Sequence, residues 1–183
     1  ALTKVVGMGR DSGVWVFAYG SLVFRPGFSP VRTERVAVRG FVRRFYQGSA
    51  DHRGVPGKLG RVLTLVPLAG GVCEGLAYEI APHEIDRTLA YLDHREQGGY
   101  RQLRVSIALP GGGEPSAEAL TYVADALNPL WLGHAPEPEM AAQMRAAHGP
   151  SGSNRDYVLE LAAELERRGI RDEHVLAIAA LLR

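Results

Sequence analysis

At 183 residues, 46% hydrophobic and 22% charged, the chain has the size and make-up of one globular domain with at most a helical appendage. A chain this long buries roughly two-thirds of its unfolded surface and needs no disulfide staples. Its one cysteine, Cys73, excludes an intramolecular disulfide and a cysteine-built zinc site.

The net charge of +1 hides an uneven spread. Between Arg32 and Arg61 stand eight Lys/Arg against two acids, Glu34 and Asp51, which leaves the remainder acidic. Such a segment can meet a small anionic ligand, RNA, or the acidic C-terminal part of the same chain. Residues 1–13, ALTKVVGMGRDSG, lack an apolar signal-peptide core and read as a flexible N-terminal segment. No run approaches the roughly 20 apolar residues of a spanning helix, so no membrane partner is expected. A single unpaired cysteine fits a cytoplasmic location.

In chain order, Val14 to Tyr19 (VWVFAY) reads as a strand that breaks on Gly20-Ser21. Strand-like runs follow at 35–42, 43–47, 61–66, 72–80, 101–108 and 118–124. Turn signals separate them at 54–60 (GVPGKLG), Gly70-Gly71 and 110–115 (PGGGEP). One helix interrupts the series at 82–95, with Pro82 in its first turn and Ile85, Leu89 and Leu92 as its apolar stripe. The final third is helical. A helix from Pro136 reaches His148 and closes at Gly149-Pro150; Ser153 or Asn154 caps the next, whose Tyr157, Leu161 and Leu165 share a face; Asp172 caps the last. No repeat, low-complexity tract or long linker divides residues 1–183. The pattern predicts an α+β fold of six or seven mostly antiparallel strands, closing as a small barrel, with a helical C-terminal part.

Several motifs carry chemistry weakly. GVPGKLG fails as a phosphate loop, because His52 stands where the first glycine belongs and Leu59 follows Lys58. Asp51 and His52 with Ser21 or Ser49 form a conceivable triad, but no nucleophile elbow accompanies them. The histidines show no paired metal-ligand spacing, so no metal is expected. Tyr19-Gly20-Ser21-Leu22 is stronger: successive N–H groups at a glycine bend can cradle a carboxylate or an oxyanion. Glu96, in DHREQGGY, falls at the end of the 82–95 helix, where the helix dipole disfavours a carboxylate. It is therefore either solvated or kept protonatable for proton transfer. Gly98-Gly99 permits close backbone approach to a ligand, and Tyr100 adds a hydroxyl.

FAYGSL, RGFVRRFYQGSADHRGVPGKLGRVLTL, YLDHREQGGY, NPLWLGHAP and GPSGSNRDYVLELA, in that order, resemble the ChaC-type glutathione-specific γ-glutamylcyclotransferases from about residue 14 to the last helix. The resemblance implies a γ-glutamylcyclotransferase-like fold, a small β-barrel flanked by helices. It implies conversion of glutathione to 5-oxoproline and cysteinylglycine, with no cofactor. The family's substrate-binding loop falls on Tyr19, Gly20, Ser21, Leu22, Val23 and Phe24, its catalytic glutamate on Glu96, and further site tyrosines on Tyr100 and Tyr122. Val23-Phe24 replaces the usual Ile-Trp, Ala50 a threonine, Leu59 a proline and Gln97 a lysine. On this reading the substrate is glutathione, and the basic 32–61 segment is where its distal glycine carboxylate is expected, with no single residue singled out to hold it. A γ-glutamyl-amino-acid or γ-glutamylamine cyclotransferase on the same fold is the alternative enzyme. A non-catalytic binder of γ-glutamyl peptides or RNA is the alternative class, though the aromatic motif of RNA-recognition folds is missing, so no nucleic-acid partner is expected.

Overall fold

The computed structural model describes residues 13–111 and 117–183. The expected flexible segment 1–13, apart from Gly13, and most of the 110–115 turn lie outside the described residues.

The first strand, β1 (Val14–Ala18), is buried along its whole length. It sits at the centre of a five-stranded sheet ordered β2-β3-β1-β5-β4, where β2 is Arg32–Ser49, β3 Gly60–Ile80, β4 Arg101–Ile107 and β5 Ala117–Val123. A strand covered on both faces must be apolar on both, which is why VWVFA does not alternate. β1 pairs antiparallel with β3 and parallel with β5; the other ladders are antiparallel. The two edge strands, β2 and β4, come into contact, so the sheet curls towards a barrel.

Two expected pairs of short strands are two long ones. Residues 35–47 run within β2, and 61–80 within β3. The register shifts between Arg39 and Phe41, where Gly40 has φ +81° and faces the surplus residues 68–71 of β3. Glycines read as turns are here bulge residues that bend a continuous hairpin. The GVPGKLG stretch is a tight exposed turn, closed by Val55 N–H to Lys58 O (3.1 Å) and Lys58 N–H to Val55 O (2.9 Å).

Helix α1 (Ile85–Arg95) lays Leu89 on Val14 and Leu120, and Leu92 enters the main core. Helices α2 (Glu137–Ala146), α3 (Asn154–Arg167) and α4 (Glu173–Leu182) pack on one another and, through α2 and α4, on the long hairpin. α2 ends at Ala146 rather than His148, because His148–Gly149 (β6) turns back to pair with Gly152–Ser153 (β7). Ser153 is the α3 cap, its hydroxyl accepting from Asp156 N–H at 3.0 Å. Asn154 does something else: it is fully buried, accepts from Arg61 N–H (2.6 Å) and donates to Arg61 O (2.8 Å), extending the β3 edge with a side chain. Asp172 caps α4 through Val175 N–H (3.0 Å) and meets the buried Arg43 guanidinium at 3.0 Å.

Candidate active site

A cavity of about 450 Å³ opens where the chain leaves β1. Its walls come from the 19–22 segment, the end of β2 and the following loop (Gly48 to Arg53), the start of β3 (Val62, Leu63), the end of α1 (Arg95, Glu96), Tyr100, Tyr122, Ser151 and Tyr157.

Leaving the central strand, the chain turns at once into a 3₁₀ turn, Ser21–Val23, which closes with Val23 N–H to Gly20 O (2.9 Å) and Phe24 N–H to Ser21 O (3.2 Å). The leading N–H groups of such a turn have no carbonyl behind them to bond, so Gly20, Ser21 and Leu22 present donors at the cavity wall. The carbonyl of Tyr19 is fixed from the other side by Arg43 Nη1 at 2.8 Å. The turn also sorts its side chains. Tyr19 to Leu22 line the cavity, whereas Val23 is buried in the core and Phe24 lies against the Tyr157 ring (6.1 Å between centroids). Val23 and Phe24, expected beside the substrate, do not line the cavity; a 3₁₀ turn rotates successive residues by about 120°, which carries them behind the loop.

Glu96 caps the C-terminus of α1, its N–H bonded to Leu92 O at 2.9 Å. Its side chain is 17% exposed. Burial pushes its carboxyl above the ordinary glutamate value; the Arg95 guanidinium 3.6 Å away pulls it down, and the Asp51 charge adds to the upward push. The upward causes win. Glu96 is thus a carboxyl whose proton is held more tightly than usual, in the same cavity as the 19–22 loop.

Arg95 ties these parts together. It donates to Ser21 Oγ (2.9 Å), to Arg25 O (2.6 Å) and to Tyr91 Oη (3.1 Å), clamping the loop against the helix end that carries Glu96. The following turn is fixed by Asn128, whose side chain donates to Gly98 O at 3.1 Å. Gly99, at φ +86°, lies so close that any Cβ would collide with that amide. Of the glycine pair, Gly98 borders the cavity and Gly99 serves the packing.

The tyrosines form walls with their hydroxyls engaged. Tyr19 donates to Tyr122 O (2.6 Å), Tyr100 to Leu63 O (2.6 Å) and Tyr122 to Asp93 (2.6 Å). Burial raises all three above the usual phenol value, and Tyr157 to about 12, so they stay neutral. No triad forms. The Ser49 hydroxyl accepts from His52 N–H (3.3 Å) and Arg53 N–H (3.0 Å), while the His52 ring bonds Ser151 Oγ at 3.0 Å. Arg95 and Tyr157 were missed in the sequence. Arg95 stood only as the neighbour of Glu96, and Tyr157 only as one member of an apolar helix face. A cation beside a carboxylate at a helix C-terminus was the available signal.

These elements superpose on the crystal structure of a yeast γ-glutamyl cyclotransferase specific to glutathione, with TM-score 0.86 and 27% identity over 93% of this chain and 96% of that one. The fold is therefore that of the γ-glutamylcyclotransferases. A sequence model of the ChaC-like protein family matches residues 14–183, and the chain belongs to that family. It is similar to the human glutathione-specific γ-glutamylcyclotransferase 1 (40% identity, covering 93% of this chain and 78% of that protein) and to γ-glutamylcyclotransferase 2-3 of Arabidopsis thaliana (38%, 93% and 88%). Among the described residues no helix is long and apolar enough to cross a membrane.

Proposed function

We propose that the chain is a glutathione-specific γ-glutamylcyclotransferase, cleaving glutathione to 5-oxoproline and cysteinylglycine. The observation that carries this is one cavity lined both by a largely buried carboxyl, Glu96, and by the leading residues of the 3₁₀ turn, Gly20, Ser21 and Leu22. The names of the relatives supply the substrate.

The chemistry moves two protons from the attacking nitrogen to the leaving one and closes one ring. The α-ammonium of the γ-glutamyl group gives a proton to Glu96, the freed amine attacks the γ-carbonyl, and a five-membered lactam forms as the C–N bond to cysteine breaks. Glu96 gives that proton to the departing nitrogen, and the second proton shed by the ring nitrogen follows it, leaving a neutral lactam and the ammonium of cysteinylglycine. A glutamate at ~4.3 is a poor base for an amine near 8, and the burial of Glu96 narrows that gap. The N–H groups of Gly20, Ser21 and Leu22 hold the α-carboxylate and steady charge developing on the γ-carbonyl oxygen. Holding amine and carbonyl in contact is worth up to about 7–11 kcal/mol. Tyr19, Tyr100 and Tyr122 wall the site and keep water from diverting the reaction to hydrolysis.

Mass-spectrometric measurement of 5-oxoproline from purified protein and glutathione, beside a folded Glu96→Gln variant, tests this. Product from the wild type with loss of roughly 10²- to 10⁴-fold in the variant is expected. Free glutamate in place of 5-oxoproline, or a variant at full rate, would refute it.

A further inference from the structure

The cavity has a second charged end that the cyclisation does not use. Arg53 lines it at 6% exposure. Its Nη1 donates to Ser151 O (2.7 Å) and Ser153 O (3.3 Å), and its guanidinium lies 5.1 Å from the Tyr157 ring centroid. It forms no ion pair among the described residues. Two other buried arginines engage two guanidinium nitrogens each. Arg43 meets Asp172, and Arg61 spends Nε and Nη1 on three oxygens, those of Gln143, Phe45 and Gly133. Arg53 engages one nitrogen only, and it alone of the three borders the cavity. A buried guanidinium is costly unless neutral oxygens, as at Arg61, or an anion complete its donors.

Arg53 and Glu96 reach the cavity from different elements: Arg53 from the loop after β2, held on the carbonyls of Ser151 and Ser153, and Glu96 from the end of α1 beside Arg95. Arg25 also lines the cavity but is half exposed and bound to Glu160 at 2.7 Å. The member of the pair without a carboxylate is Arg53.

We propose that Arg53 binds the C-terminal carboxylate of the peptide that leaves, and so selects γ-glutamyl peptides long enough to bring a free carboxylate to the far end of the cavity. This rests on the cyclotransferase reading and assigns the specificity of that site. The two carbonyl contacts and the tyrosine face hold the guanidinium in place before substrate arrives, so little ordering is needed on binding. The remaining nitrogens supply the paired donors that suit a carboxylate.

The test compares glutathione with glutathione amide, in which the glycine carboxylate is an uncharged carboxamide, by 5-oxoproline release from the intact chain. Wild type should prefer glutathione in kcat/KM by on the order of 10- to 100-fold, the loss of a charge-assisted contact, and mostly through KM. In Arg53→Gln, which keeps a donor for the Ser151 carbonyl, glutathione should fall towards the amide and the preference collapse to about 1. Arg53→Lys should restore part of it, because it restores the charge without the fork. Equal use of both peptides by wild type overturns the proposal without any variant, so a Gln variant that fails to fold leaves it decidable. A preference that survives in a folded Arg53→Gln also overturns it. Absence of 5-oxoproline from both peptides removes the cyclotransferase reading and the Arg53 assignment together.

Discussion

The two ends of the cavity treat charge in opposite ways. Glu96 has a guanidinium 3.6 Å away and is still pushed towards its neutral form, because burial outweighs the attraction. Arg53 has no carboxylate beside it and keeps its charge, although burial presses it below the ordinary arginine value. An arginine starts so far above neutrality that it can be lowered and remain a cation, whereas a raised glutamate approaches the range where protons move. Desolvation therefore makes one end a proton carrier and leaves the other a fixed anchor.

The largest break in this comparison is Glu96→Gln, which should cost kcat roughly 10²- to 10⁴-fold with little change in KM, read by steady-state kinetics. The same variant should reverse sign in stability. A glutamate whose folded value lies above its unfolded one opposes folding as pH rises through that interval, since the folded state binds more protons. Thermal melts should place Glu96→Gln at or above wild type at neutral pH, and the difference should vanish as pH falls below the ordinary glutamate range. A lower melting temperature at neutral pH would contradict it.

Arg95→Gln sharpens the proton-carrying end. Arg95 pulls Glu96 down, so its removal lets Glu96 rise, and the acid limb of the kcat/KM profile should move to higher pH. Loosening of the loop through Ser21 and Arg25 should add a loss of about 10-fold, one lost charged contact. An unmoved acid limb would separate Arg95 from Glu96.

Asp172→Asn makes Arg43 resemble Arg53, a buried guanidinium without its carboxylate. Asparagine still caps α4, so the change isolates the pair. The expected cost is about 2 kcal/mol in denaturant unfolding, reduced from the fully buried case by the partial exposure of Asp172, with KM unchanged. Smallest of all, Phe24→Leu should alter KM for glutathione less than about 3-fold, because the side chain lies behind the loop against Tyr157. A change of 10-fold would put Phe24 back beside the substrate.

What could be read from the sequence was what lies close together in it. Glu96 at a helix end and the donors of Gly20 to Leu22 are local features, and the α+β class followed from element order. Val23 and Phe24 were assigned to the cavity because a motif is contiguous, whereas a 3₁₀ turn is not one-sided. Gly70-Gly71 reads as a turn in the sequence because a bulge and a turn use the same residue. Arg53 stood out as a basic residue, but its lack of a partner depends on groups about a hundred positions away, Ser151 and Tyr157. Neither periodicity nor composition carries that separation.

The bond pair between Asn154 and the Arg61 backbone has a consequence in time as well as in space. It fastens the start of α3 to β3, and with it Ser151 and Tyr157, which complete the wall around Arg53. A chain ending before Ser151 would hold Glu96, the donor loop and Arg53 yet have no closed chamber. During synthesis, then, the reactive groups emerge early and the room they work in is finished late, so the protein gains the power to consume its substrate only once its last third has docked.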